Sequence, residues 1–162
     1  MHLTPEVSSV LARFQRVRAG LVVGYNDETM SILKTQREGV WMDLPLMEEF
    51  PFEDSQFEVV VMHGSGVTRE RVREANRILK PEGCLFFTVK ERSGDDDGYT
   101  APELYKIIRD GFDIVELKRP KWWKFGRDGK TMTICARKKA WREHKGFIRE
   151  GSLPFTPFRS RS

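Results

Sequence analysis

A chain of 162 residues, 39% hydrophobic and 32% charged, is sized for one globular domain and excludes a two-domain enzyme. No run approaches the roughly 18 apolar residues of a membrane span, and the N-terminus lacks the basic, apolar and small-residue succession of a secretory signal, so a cytoplasmic chain without membrane contact is expected. The formal charge of +4 is polarised: residues 1 to 115 carry 14 Lys and Arg against 20 Asp and Glu, whereas residues 116 to 162 carry 14 against 4. An end with a net of +10 calls for a polyanionic partner such as RNA, DNA or a ribosomal particle.

Helical and strand patterns alternate along the chain, which predicts an α/β domain with a largely parallel sheet. Thr4 and Pro5 fit an N-cap and first helical position for a helix carrying Val7, Val10, Leu11, Phe14 and Val17. Gly20 is expected to break it, and Leu21 to Tyr25 reads as a strand buried on both faces. Asn26 or Asp27 caps a second helix with Met30, Ile32 and Leu33, ending at Gly39, and Val40 to Leu44 follows as a strand. Beyond a loop over residues 45 to 55, Phe57 to Met62 is the candidate central strand. Thr68 caps a helix with Val72, Ala75 and Leu79 inward, stopped by Pro81 and Gly83, and Cys84 to Val89 is the next strand. Thr100 and Glu103 have capping-box spacing for a helix burying Leu104, Ile107 and Ile108. Phe112 to Leu117 and Thr131 to Ala136 are joined too closely for a crossover helix and predict an antiparallel hairpin. Cys84 and Cys135 sit in apolar runs as small buried hydrophobes, and Asp95, Asp96 and Asp97 read as a solvated loop tip, so neither disulfide nor metal is expected. The domain is drawn over residues 1 to 145, with 146 to 162 as an extended or disordered basic tail.

Two segments carry a family resemblance. Phe50 to Val61, FPFEDSQFEVVV, resembles the "LPFxDxSFDxVV" segment of class I S-adenosylmethionine-dependent methyltransferases. Glu74 to Phe86, EANRILKPEGCLF, resembles that family's "E.xRVLKPGGxLxF" signature, and the order of the last helix and hairpin is similar too, so the likeness runs from residue 40 to 139. The resemblance implies a Rossmann-like methyltransferase fold, mostly parallel, with a C-terminal antiparallel hairpin. It also implies an acid and a glycine-rich turn after the first strand. The stretch here is GLVVGYNDE, in which Gly24 matches the first glycine, Asn26 and Glu28 replace the next two, and Val22 stands where the acid belongs. One helix fits between the first strand and that of Asp43, where the family fits helix, strand and helix, so one strand-helix unit is missing.

By this resemblance, Gly24, Tyr25, Asn26, Asp43, Leu44 and Met62 are the residues that would line a cofactor site if one binds, and His63 is a candidate general base because an imidazole changes charge near neutral pH. The alternative places His63 as a strand cap and Asp43 as a turn residue. Lys118, Arg119, Lys121, Trp122, Trp123, Lys124, Arg127 and Lys130 concentrate cations and indoles in the hairpin connection, continued by Arg137, Lys138 and Lys139. Such a set suits phosphates and unpaired bases, or else the indoles cover a sheet edge. The expected function is therefore a methyltransferase-fold binding module for RNA or an RNA-containing assembly, with a degraded site and no cofactor. A divergent S-adenosylmethionine-dependent enzyme and a protein-interaction scaffold, with a protein partner or a second copy, are the alternatives.

Overall fold

The computed structural model describes residues 4–25, 27–92, 98–119 and 130–139. Asn26, Asp95 to Asp97, Lys121, Trp122, Trp123, Lys124, Arg127 and the tail, for which the sequence carries expectations, lie outside the described residues. In chain order the elements are α1 (Pro5–Arg13), β1 (Arg16–Val23), α2 (Asp27–Gln36), β2 (Glu38–Leu44), β3 (Phe57–Met62), α3 (Arg69–Ile78), β4 (Leu79–Lys90), α4 (Ala101–Ile108), β5 (Phe112–Lys118) and β6 (Thr131–Lys138). The strands form one six-stranded sheet in the order β2-β1-β3-β4-β6-β5. β2, β1, β3 and β4 run parallel, while β6 pairs antiparallel with both β4 and β5. A single helix, α2, connects β1 to β2, which is the shortening the residue spacing predicts.

Alternation along the strands sends side chains to two cores. Val22, Val59, Val61, Phe86, Cys84 and Cys135 meet Val7 and Val10 of α1 and Ile32 and Leu33 of α2. Leu21, Val23, Val60, Met62, Leu85 and Ile134 meet Val72 and Ala75 of α3 and Leu104 and Ile108 of α4. Both thiols are free and buried. In the antiparallel register Cys84 faces Arg137 and Phe86 faces Cys135, so the cysteines are diagonal neighbours on one face.

Four boundaries correct the sequence reading, one being that α2 stops at Gln36 and Gly39 lies inside β2 instead of ending the helix. The first helix stops at Arg13, and Val17 is a fully buried residue of β1. Its spacing from Val10 and Phe14 fits a helix, but the same residue also fits a strand, and sheet pairing prevails. Gly20 breaks nothing: it lies inside β1, and a Cβ there would stand 2.4 Å from the Trp41 ring, so glycine admits the indole of the adjacent strand. Leu79 opens β4 instead of closing α3, because Lys80 precedes Pro81 and is barred from helical backbone. Pairing with β3 jumps from Phe57↔Leu79 to Val59↔Cys84, so the KPEG stretch bulges out, with Glu82 at φ 68°.

The resembling segments explain themselves at the lower end of the sheet. Arg77 donates from Nε to Glu74 Oε2 (2.9 Å), from Nη1 to the Phe52 carbonyl (2.8 Å) and Asp54 (2.9 Å), and from Nη2 to the Phe50 carbonyl (2.8 Å). The Phe50 amide donates to Glu74 Oε1 at 2.8 Å. One ion pair on α3 thus fastens the loop that feeds the central strand. Arg77 chiefly, with the Phe50 amide, holds the Glu74 carboxyl below its ordinary value against the opposing effect of burial.

Candidate functional site

The C-terminal ends of the parallel strands gather Gly24, Tyr25, Leu44, Met62 and His63. The Gly24 amide donates to the Leu44 carbonyl (2.8 Å) and the His63 amide to the Val23 carbonyl (2.9 Å), so hydrogen bonding runs past the strand ends. Gly24 has φ 82°, which glycine adopts without strain, and its open side faces Leu46: a Cβ here would lie 2.9 Å from Leu46 Cγ. A Cβ on Gly66 would lie 2.1 Å from Leu46 Cδ2. The Leu46 side chain therefore covers both glycines. Arg71 fixes the segment that carries it, donating to the Met47 carbonyl (3.2 Å) and the Gly66 carbonyl (3.0 Å) and pairing with Glu48 (2.7 Å). Asp43 is exposed beside Val22 in the β1–β2 register, whereas Leu44 and Met62 are buried in the core.

His63 is exposed and caps a short 3-10 turn over Gly64–Gly66. Its Nδ1 accepts from the Ser65 amide (3.2 Å) and lies 2.8 Å from Ser65 Oγ, which leaves Nε2 outward. Its ring meets Tyr25 edge-on, with centroids 5.3 Å apart. The Tyr25 hydroxyl donates to Glu6 and stands 3.1 Å from the Met62 carbonyl. Burial, then the Glu6 charge, push that phenol far above its ordinary range, so it stays protonated. A cleft of about 600 Å³ opens here, with Glu6, His63, Ser65, Lys90 and Tyr99 on its walls. Sequence reasoning passed over Glu6 and Leu46: an acid in a first helical turn and a leucine in a loop are both commonplace, and what distinguishes them is long-range contact.

The described basic residues fall at two ends of β6, ~24 Å apart at strand rise over 8 residues. Lys118, Arg119 and Lys130 lie at the end shared with the cleft, where Arg119 binds Glu91 (2.9 Å) and Lys118 lies 3.6 Å from Glu116. Arg137, Lys138 and Lys139 lie at the other end. There the Lys138 ammonium donates to the Leu79 carbonyl (2.7 Å), that of Lys139 donates to the Arg109 carbonyl (2.8 Å), and Arg137 is exposed. The two groups are not one continuous stripe.

No family model matches the chain, and no curated protein matches it either. Solved structures do. The 1,6-didemethyltoxoflavin-N1-methyltransferase of Burkholderia thailandensis, solved with 1,6-didemethyltoxoflavin and S-adenosylhomocysteine, aligns with TM-score 0.65 at 16% identity over 83% of this chain and 77% of that one. The fold is that of the class I methyltransferases. A chain from the complex of the Haloferax volcanii Trm112 methyltransferase activator with a methyltransferase aligns with TM-score 0.63 at 14% identity over 83% and 88% of the two chains. The [4+2]-cyclase SpnF has the same methyltransferase fold at TM-score 0.62, 16% identity and 83% and 78% coverage, so fold alone does not fix the reaction. Among the described residues no helix is long and apolar enough to cross a membrane.

Proposed function

We propose that this chain is a methyltransferase-fold module that binds RNA or a similar polyanion and does not use S-adenosylmethionine. The observation carrying this reading is Leu46 over Gly24 and Gly66: the backbone approach that the fold offers a cofactor is taken by the chain's own side chain. Asn26 and Glu28 in place of glycines, and one connecting helix where relatives have a further strand, point the same way. Calorimetric titration with S-adenosylmethionine and S-adenosylhomocysteine tests it, with no binding tighter than about millimolar expected. A micromolar one-to-one complex overturns it in favour of the second reading, an active methyltransferase, for which the cleft beside His63 and the cofactor-product complex of a structural neighbour speak.

The polyanion half rests on the net charge of +10 over residues 116 to 162. Affinity for single-stranded RNA is expected to fall with salt, with a log-log slope of roughly −0.7 per phosphate neutralised. Lys121, Lys124 and Lys130 replaced by Glu flatten that slope. Trp122→Ala and Trp123→Ala weaken binding with the slope unchanged, because stacking releases no counterions. Absence of RNA binding at low salt leaves a protein partner, of the kind one neighbour has in its activator complex, as the better reading. Residues 1 to 145 constitute the folding unit in this proposal. Truncation after Lys145 then leaves the thermal transition in place, and a melting point lowered by many degrees refutes that boundary.

A further inference from the structure

We infer that the cleft at the C-terminal ends of β3 and β4 is a binding site for a small ligand carrying a protonated amine, with the ammonium group seated on Glu6. Glu6 is 4% exposed, and its carboxylate has one oxygen on the Tyr25 hydroxyl while the other, Oε1, is buried with no hydrogen-bond partner among the described residues. A buried carboxylate oxygen left bare is costly unless a cation or donor arrives. Among the described residues no nearby group supplies one. Tyr25 stays neutral, and the first-turn amides of Val7 and Ser8 are taken by Thr4 Oγ1 and the Thr4 carbonyl.

Glu6 lines the cleft together with His63, Ser65, Val67, Val89 and Tyr99. Among the described residues Glu6 is the single acid on those walls, and no group of three metal-ligating side chains exists. A hard divalent cation wants several oxygen ligands, so one carboxylate suits an ammonium better. Val67 and Val89 are buried apolar residues, and Tyr99 packs against the core cluster that contains them, its hydroxyl spent on the Val67 carbonyl. The cleft thus joins one buried negative charge to a short apolar wall, the complement of an alkylamine. Lys90 also lines the cleft, but its side chain is exposed and forms no ion pair with Glu6. The cleft is the one that speaks for the methyltransferase reading above, but the amine site needs only the Glu6 carboxylate and not the cofactor, so the amine titration and the S-adenosylmethionine titration can fail separately.

The test is an NMR titration of the full chain with n-butylamine, protonated at neutral pH, and with the neutral n-butanol. The amine is expected to bind one to one, at least about tenfold tighter than the alcohol, with shifts at Glu6, His63, Ser65 and Tyr99. Glu6→Gln erases the preference, and Tyr25→Phe retains it because the carboxylate remains. Equal binding of the two probes by wild type, or an unchanged preference in Glu6→Gln, overturns the proposal. Should Glu6→Gln fail to fold, the Glu6 carboxyl carbon signal in wild type decides: it moves with the amine and not with the alcohol, or the proposal fails. If wild type ignores the amine while Lys90→Met binds it, Lys90 is the counter-ion and the site is filled from within.

Discussion

The lower and upper ends of the same sheet are built on different terms. Below, the loop into β3 is held by directed bonds: Arg77 reaches two carbonyls and two carboxylates, and Glu74 accepts from Arg77 and the Phe50 amide. Above, the turn after β1 is covered by a leucine that is 38% exposed, steered by Arg71 through backbone carbonyls. The lower end keeps most residues of the resembling motifs, Asp54, Glu74 and Arg77 among them, whereas the upper end departs from the glycine-rich turn. The requirements for folding and for ligand chemistry are therefore physically separate in this domain, and one set persists while the other changes.

Breaking the lower clamp gives the largest effect. Arg77→Ala strips five hydrogen bonds and takes the guanidinium donor from the Phe52 carbonyl, so chemical denaturation is expected to show a loss of about 2 to 4 kcal/mol. A loss under about 0.5 kcal/mol refutes the clamp as a determinant of the fold. Acid sharpens the same point. Because Glu74 is held below its ordinary value of 4.5, its contribution is present above that value and is lost as pH falls through the lower folded-state value. Thermal melts are expected to show a steeper fall below about pH 5 in wild type than in Glu74→Gln. At the upper end Leu46→Ala is expected to cost only about 1 kcal/mol, since the side chain is partly in water already. Its informative readout is ligand affinity: if Leu46 is the obstruction, the alanine variant gains S-adenosylhomocysteine binding that wild type lacks, and no gain shifts the blame to Asn26 and Glu28. The smallest effect belongs to the exposed Arg119 and Glu91 pair, where Arg119→Ala is expected to change stability by less than about 1 kcal/mol.

The strand and helix of the lower end were legible in the sequence because their determinants are local, an apolar run for β3 and a capped helix at Thr68, whereas the hold of Glu74 and Arg77 on the loop was not. The capping box at Thr100 and Glu103 formed as its spacing required. What escaped was set by tertiary contact. Leu46 is 22 residues from Gly24 in the chain, and nothing at either position announces that they touch. Val17 satisfied a helical period and a place in a strand at once, and it is buried as part of β1. Glu6 looked like an ordinary first-turn acid until Tyr25, from the end of another element, closed over it.

The two thiols on β4 and β6 have a use as well as a position. Cys84 is 8% and Cys135 1% exposed, and the strands that carry them lie side by side near the middle of the sheet. The Cys135 side chain is covered by the core that α1 and α2 close over this face of the sheet, so an alkylating reagent reaches it only when that layer opens, and its labelling rate clocks that opening under native conditions. The chain thus carries its own stopwatch for the lifting of its helical cover, with no probe to be engineered.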